Sequence, residues 1–121
     1  MMTIARQAAD FVTKETLFTL PTGVGQVTVC KADSSRVYLA FQATGANGCH
    51  VSTGQASDVN SVGIRLSPTV NPWELRFSES GPMCQLEWHG NATSPGTNLT
   101  VIEVFYRPGA DDFVAVPQPD Q

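Results

Sequence analysis

At 121 residues and 13.0 kDa the chain has room for one domain, and 41% apolar residues are enough to build its core. Charged residues are sparse at 15%, and the formal charge of −4 comes with seven basic residues scattered from Arg6 to Arg107. No basic patch forms in sequence, which excludes phosphate-backbone recognition and hence nucleic acid as a partner.

The N-terminal stretch "MMTIARQAADFVTKETLF" has no apolar run of signal-peptide length. No segment approaches the ~20 apolar residues of a membrane span, so the expectation is a cytoplasmic site of synthesis with no membrane partner. Within it, Ala5, Ala8, Ala9 and Val12 fit either a short amphipathic turn or an extended arm. Residues 1–22 are accordingly assigned as an N-terminal arm and residues 23–107 as the folded domain.

The domain is written in period two. "QVTVCK" sets Val27 and Val29 on one face and Cys30 on the other, more exposed. "RVYLAFQ" places Val37, Leu39 and Phe41 inward, with Arg36, Tyr38 and Gln42 opposite. "CHVS" sends Cys49 and Val51 inward and His50 outward; "VGIRL" gives Val62, Ile64 and Leu66. "WELRF" gives Trp73, Leu75 and Phe77, and "CQLEWH" gives Cys84, Leu86 and Trp88. "LTVIEVFY" is apolar on both faces, with Leu99, Val101 and Phe105 on one and Ile102, Val104 and Tyr106 on the other. Such a strand requires cover on both sides. Turn signals separate these seven segments, among them "TGANG", "SPTVNPW" and "NATSPGTN". The expected fold class is all-β, an antiparallel β-sandwich or small jelly-roll-like barrel. The Pro-rich residues 108–121 form a C-terminal tail.

Candidate chemistry is thin. The three cysteines (Cys30, Cys49, Cys84) and two histidines (His50, His89) contain no C-x-x-C and no H-x-x-x-H, the close spacings that a structural zinc site uses. Successive strand residues point to opposite faces, so His50 turns away from Cys49 and His89 from Cys84. A Cys–His nucleophile pair needs hydrogen-bond reach and does not get it here. The cysteines read as reduced, small apolar core residues. Phosphate-binding and dinucleotide loops are lacking, as is a nucleophile elbow. Glu103 reads as an ion-paired or hydrogen-bonded carboxylate at an edge or interface. Trp73 and Trp88 keep step with aliphatic residues and read as core rather than as sugar platforms. The expectation is a chain without catalytic residues, cofactor or metal, working through its surface. Candidate contact residues are Phe11, Lys14, Leu17 and Phe18 of the arm, Tyr38, Glu103 and Tyr106 of the strands, and Phe113, Val114 and Val116 of the tail.

The succession "SSRVYLAFQATG", "CHVSTG", "VGIRLSP", "NPWELRF", "CQLEWHG" and "NLTVIEV", spanning residues 27–106, resembles small β-sandwich virion structural proteins of tailed bacteriophages. The resemblance implies a capsid decoration or cement protein, a homo-trimer bound to the major capsid protein on the virion surface after assembly in the host cytoplasm. The alternative is a glycan-binding host-recognition module of a head fibre or tail. A non-viral cytoplasmic binding domain is the third class.

Overall fold

The computed structural model describes residues 2–8, 10–22, 27–45, 47–53, 64–69, 72–92 and 94–108. These form a β-sandwich of two antiparallel sheets. The larger sheet carries β1 (Met2–Ala8), β2 (Phe11–Thr19), β9 (Asn98–Tyr106), β4 (Arg36–Thr44) and β7 (Trp73–Arg76), in that spatial order. The smaller carries β3 (Val27–Cys30), β8 (Trp88–Ala92), β5 (Cys49–Ser52) and β6 (Ile64–Leu66). The all-β sandwich expected from the alternation is what the chain forms.

The inner faces meet in one core. From the larger sheet come Leu39, Phe41, Ala43, Leu75, Leu99 and Val101; from the smaller come Val29, Cys49, Val51, Leu66 and Trp88. At its centre Trp88 is fully buried, with its ring 5.4 Å from Phe41 and 5.5 Å from Trp73 between centroids. The two tryptophans therefore spend their surface on each other and on Phe41. Such aromatic pairs add about 0.5–1.5 kcal/mol each beyond the area they bury. Cys49 and Cys84 are buried as expected.

Several elements differ from the simple alternation. The stretch assigned as an arm is a hairpin: β1 and β2 pair from Met2↔Leu17 to Ala8↔Phe11, and β2 pairs with β9 over its whole length. β-Branched Val12, Thr13, Thr16 and Thr19 suit a pleated surface, and pairing with β9 decides their conformation. Cys30 is buried, not exposed, because the β3–β8 register shifts between Thr28 and Cys30 and brings Cys30 level with Trp88. A second irregularity between Arg36 and Tyr38 in the β4–β9 ladder turns Arg36 into the interior. A bulge adds one residue to a strand and so reverses which face the preceding side chain takes.

"CQLEWH" does not run as one strand. A short helical turn, α1 (Phe77–Ser80), leads into a 3-10 turn over Gly81–Gln85 with Pro82 in its first positions, and β8 begins only at Trp88. Phe77 and Leu86 lie on the surface as a result. Val62 lies outside the described residues.

Gly48 stands at the entrance to β5, where a Cβ would drive into the backbone carbonyl oxygen of Leu66. Leu66 is fixed by pairing with Cys49 and has no room to yield. Gly48→Ala is expected to lower unfolding free energy by about 1–3 kcal/mol, the usual cost of forced overpacking. A urea titration followed by tryptophan fluorescence reads it directly.

Candidate interaction surface and the buried ion pair

Arg36 has no exposed surface and its guanidinium reaches four acceptors. Nε donates to the Cys84 carbonyl at 2.6 Å, and Nη2 to the Leu86 carbonyl at 2.6 Å. Nη1 donates to the Lys31 carbonyl at 2.8 Å and to Oε2 of Glu103 at 2.9 Å. One planar fork thus joins the β3–β4 connection, the turn before β8, and β9. Glu103 is therefore inside the sandwich on a central strand, not at an edge. Burial pushes its carboxyl above the ordinary carboxylate range, against the opposing pull of Arg36 and Lys14. Cys84 donates its thiol to the Arg36 carbonyl at 3.4 Å, completing the cluster.

The thiols carry no sign of activation. Burial pushes Cys30 up to about 12 and Cys49 to about 11, whereas a reactive cysteine needs its thiolate stabilised. His50 lies on the outer side of β5, level with Arg65 and Asn91. Burial first, and then Arg65, pushes it below its ordinary value. His89 meets Thr28 Oγ1 at 3.3 Å and Glu87 at 3.1 Å. Among the described residues no three His, Cys, Asp or Glu side chains gather into a metal-binding group.

The outer face of the larger sheet is different in character. The register lines up Phe11 with Tyr106, Thr13 with Val104 and Tyr38, Glu15 with Ile102 and Ala40, and Leu17 with Thr100. Phe11, Leu17 and Tyr106 are each more than 40% exposed, and Phe11 and Tyr106 rest on one another at 5.5 Å between rings. Half-buried Ile102 and Val104 fill the middle. Toward β7 the face becomes polar: Tyr38 donates its hydroxyl to Glu74, and Arg76 lies over the Tyr38 ring at 5.3 Å while reaching Glu74 at 3.2 Å. Partial burial, then the bond to Glu74, pushes the Tyr38 phenol up to about 12.

Of the expected contact residues, this face gathers Phe11, Leu17, Tyr38 and Tyr106. It does not gather Lys14, Phe18 or Glu103, which the register puts on the inner rows of β2 and β9, Phe18 opposite Leu99 and Lys14 opposite Glu103. Phe18 packs against the core. Phe113, Val114 and Val116 lie outside the described residues. Ile102 and Val104 belong to the face although they were not among the candidates; the two-sided apolar pattern of β9 is the signal that marks them.

No family model matches the chain, and no curated protein matches it. Among solved structures, a chain from the work described as "Bacillus endospore appendages form a novel family of disulfide-linked pili" is similar over 87% of this chain and 95% of its own. Identity is 10% and the TM-score 0.47, a level of likeness that says nothing about role.

Arg36→Met is expected to cost about 3–5 kcal/mol, since it leaves Glu103 buried without its cation. Glu103→Gln keeps an acceptor for the guanidinium and is expected to cost much less. Because the folded-state value of Glu103 is raised, the folded protein holds this proton more tightly than the unfolded chain. The resulting stability is full below the ordinary carboxylate value of 4.5 and is lost as pH rises through the raised one. Urea unfolding across pH should show that decline in the native protein and not in Glu103→Gln.

Proposed function

We propose that the chain is a non-catalytic structural protein that works by docking, and that its assembly is the head of a tailed phage, where it decorates and stabilises the major capsid protein as a homo-trimer. The observation that supports docking is the outer face of the larger sheet: aromatic and aliphatic side chains exposed in register across β2 and β9, bounded by the Glu74–Tyr38–Arg76 group. An apolar patch with a polar rim is what a protein contact surface requires. The capsid as partner is supported by the sequence resemblance over residues 27–106.

On this reading the work is done by area. Each copy holds neighbouring capsid subunits together, and many weak contacts repeated over a lattice add into strong retention. Nothing in such a role needs an activated nucleophile, and the thiols are raised rather than lowered. The tryptophan rings are committed to the core, which leaves them no role as a flat platform for a sugar.

The experiment mixes purified protein with undecorated capsids and, separately, with host cells. Capsid binding is expected, with a trimer in solution by light scattering. Leu17→Asp and Tyr106→Asp should each weaken capsid binding tenfold or more, the scale of a contact-centre residue, while shifting stability by no more than ~0.5 kcal/mol. Binding to cells instead of capsids, or capsid binding unchanged in both variants, overturns the proposal.

A further inference from the structure

The two sheets are unequal, five strands against four, and a groove opens between the inner row of β2 and the edge strand β3. It holds a cavity of about 560 Å³ whose apolar walls are Val12 and Phe18 of β2, Val29 of β3 and Phe105 of β9. That volume lies inside the ~300–1,000 Å³ range of small-molecule sites, which are concave and largely apolar with a few placed polar groups. Neither the core nor the outer face of the larger sheet uses this space. Phe18 packs on the core and closes one end of the row, so the cavity is entered from the Val12 end.

The charges around the cavity do not balance. Lys14, Lys31, Arg36 and Arg107 line it against Asp33 and Glu103. Arg36 holds Glu103 at 2.9 Å and Arg107 holds Asp33 at 3.2 Å, which occupies both carboxylates. Lys31 is exposed at the rim, whereas Lys14 is half-buried. Among the described residues the Lys14 ammonium enters no salt bridge and acts on Glu103 only at longer range. A cation withdrawn from water needs a partner, and here two cations share one carboxyl. Next along the same row the Thr16 hydroxyl meets that of Thr3 at 3.4 Å, so a donor stands beside the ammonium. The arrangement suits one negative charge at Lys14 with apolar matter beyond it. An amine meets like charge there, and a neutral chain leaves Lys14 unpaired.

We propose that this cavity binds an amphipathic monocarboxylate, its carboxylate paired with Lys14 and its apolar tail lying against Phe18 and Val29. The direction follows from the row itself. Lys14 stands toward the open end and Phe18 at the closed one, four residues or about 13 Å apart along the strand, a span that takes a tail of medium length. Glu103 does not repel the ligand, because Arg36 neutralises it at 2.9 Å. Charge thus fixes the head and the apolar walls take the tail, the usual division in a small-molecule site. The proposal does not depend on the capsid role.

Calorimetry on the full-length protein tests it with two probes of equal chain length, octanoate and the neutral 1-octanol. Octanoate should bind with a dissociation constant below about 1 mM, and octanol at least tenfold more weakly. Lys14→Met keeps the aliphatic stem against the wall and removes the charge. It should weaken octanoate tenfold or more and leave octanol unchanged. On adding octanoate to the native protein, the methyl resonances of Val12 and Val29 should shift, and those of Ile102 and Val104 on the outer face should not. The proposal is overturned by no binding at that concentration, by equal affinity for the two probes, or by shifts confined to Ile102 and Val104. An affinity for octanoate unchanged in Lys14→Met overturns it as well. If that variant does not fold, the probe comparison and the methyl shifts in the native protein decide.

Discussion

The sandwich is organised around a guanidinium with no access to water. An arginine side chain is a cation, and a buried charge must be surrounded by acceptors or the fold does not tolerate it. Three carbonyls and one carboxylate meet that demand, and their positions explain otherwise arbitrary features of the chain. The bulge in β4 exists where Arg36 turns inward. The turn from Gly81 to Leu86 curls so that the Cys84 and Leu86 carbonyls point at the guanidinium rather than into a ladder. β8 consequently starts at Trp88, and Trp88 enters the core in the one place where it meets both Phe41 and Trp73. Replacing such a pair with apolar residues is often neutral for stability, so its value lies as much in geometry as in energy. It fixes the end of the sandwich near Asp33 and Arg107, beside the groove.

β9 joins the other features. It lies between β2 and β4 in the centre of the larger sheet, and its two rows have separate duties. Leu99, Val101, Glu103 and Phe105 hold the core and the ion pair. Thr100, Ile102, Val104 and Tyr106 make the outer face. Because the rows do not share side chains, the outer row can be altered for contact without opening the core. That separation leaves a broad, partly apolar outer face on the back of the main structural strand.

The parts legible in the sequence are those governed by local alternation. Leu39 and Phe41, Cys49 and Val51, Leu66, and Leu99 with Val101 are buried where period two puts them. The opposed placement of Cys49 and His50 follows from the same rule. The parts that were not legible depend on a partner distant in sequence. Cys30 and Arg36 change face because of register shifts against β8 and β9, which no local pattern records. Residues 2–8 and 11–19 have little apolar alternation, and their strand state comes from the pairing of β1 with β2 and of β2 with β9. Leu86 keeps the phase of a strand yet sits on the surface, because Gly81 and Pro82 set a turn whose carbonyls Arg36 needs. Of the candidate contact residues, Phe11, Leu17, Tyr38 and Tyr106 share one face, whereas Lys14, Phe18 and Glu103 follow the inner register of β2 and β9.

The inner placement of Lys14 and Phe18 has a consequence for how the two sides of the larger sheet divide their labour. On β2, Phe11, Thr13, Glu15 and Leu17 face outward, and Val12, Lys14, Thr16 and Phe18 face the groove. Thr16 is buried and Phe18 packs on the core, so the inner row is closed at one end and open at the other, where Lys14 and Val12 stand. The half-buried Lys14 there lies opposite the buried carboxylate of Glu103. β2 thus presents Phe11 and Leu17 outward and a single lysine between Val12 and Thr16 inward. The two differ in chemistry enough that a partner suited to one, an aromatic and aliphatic contact, is unsuited to the other.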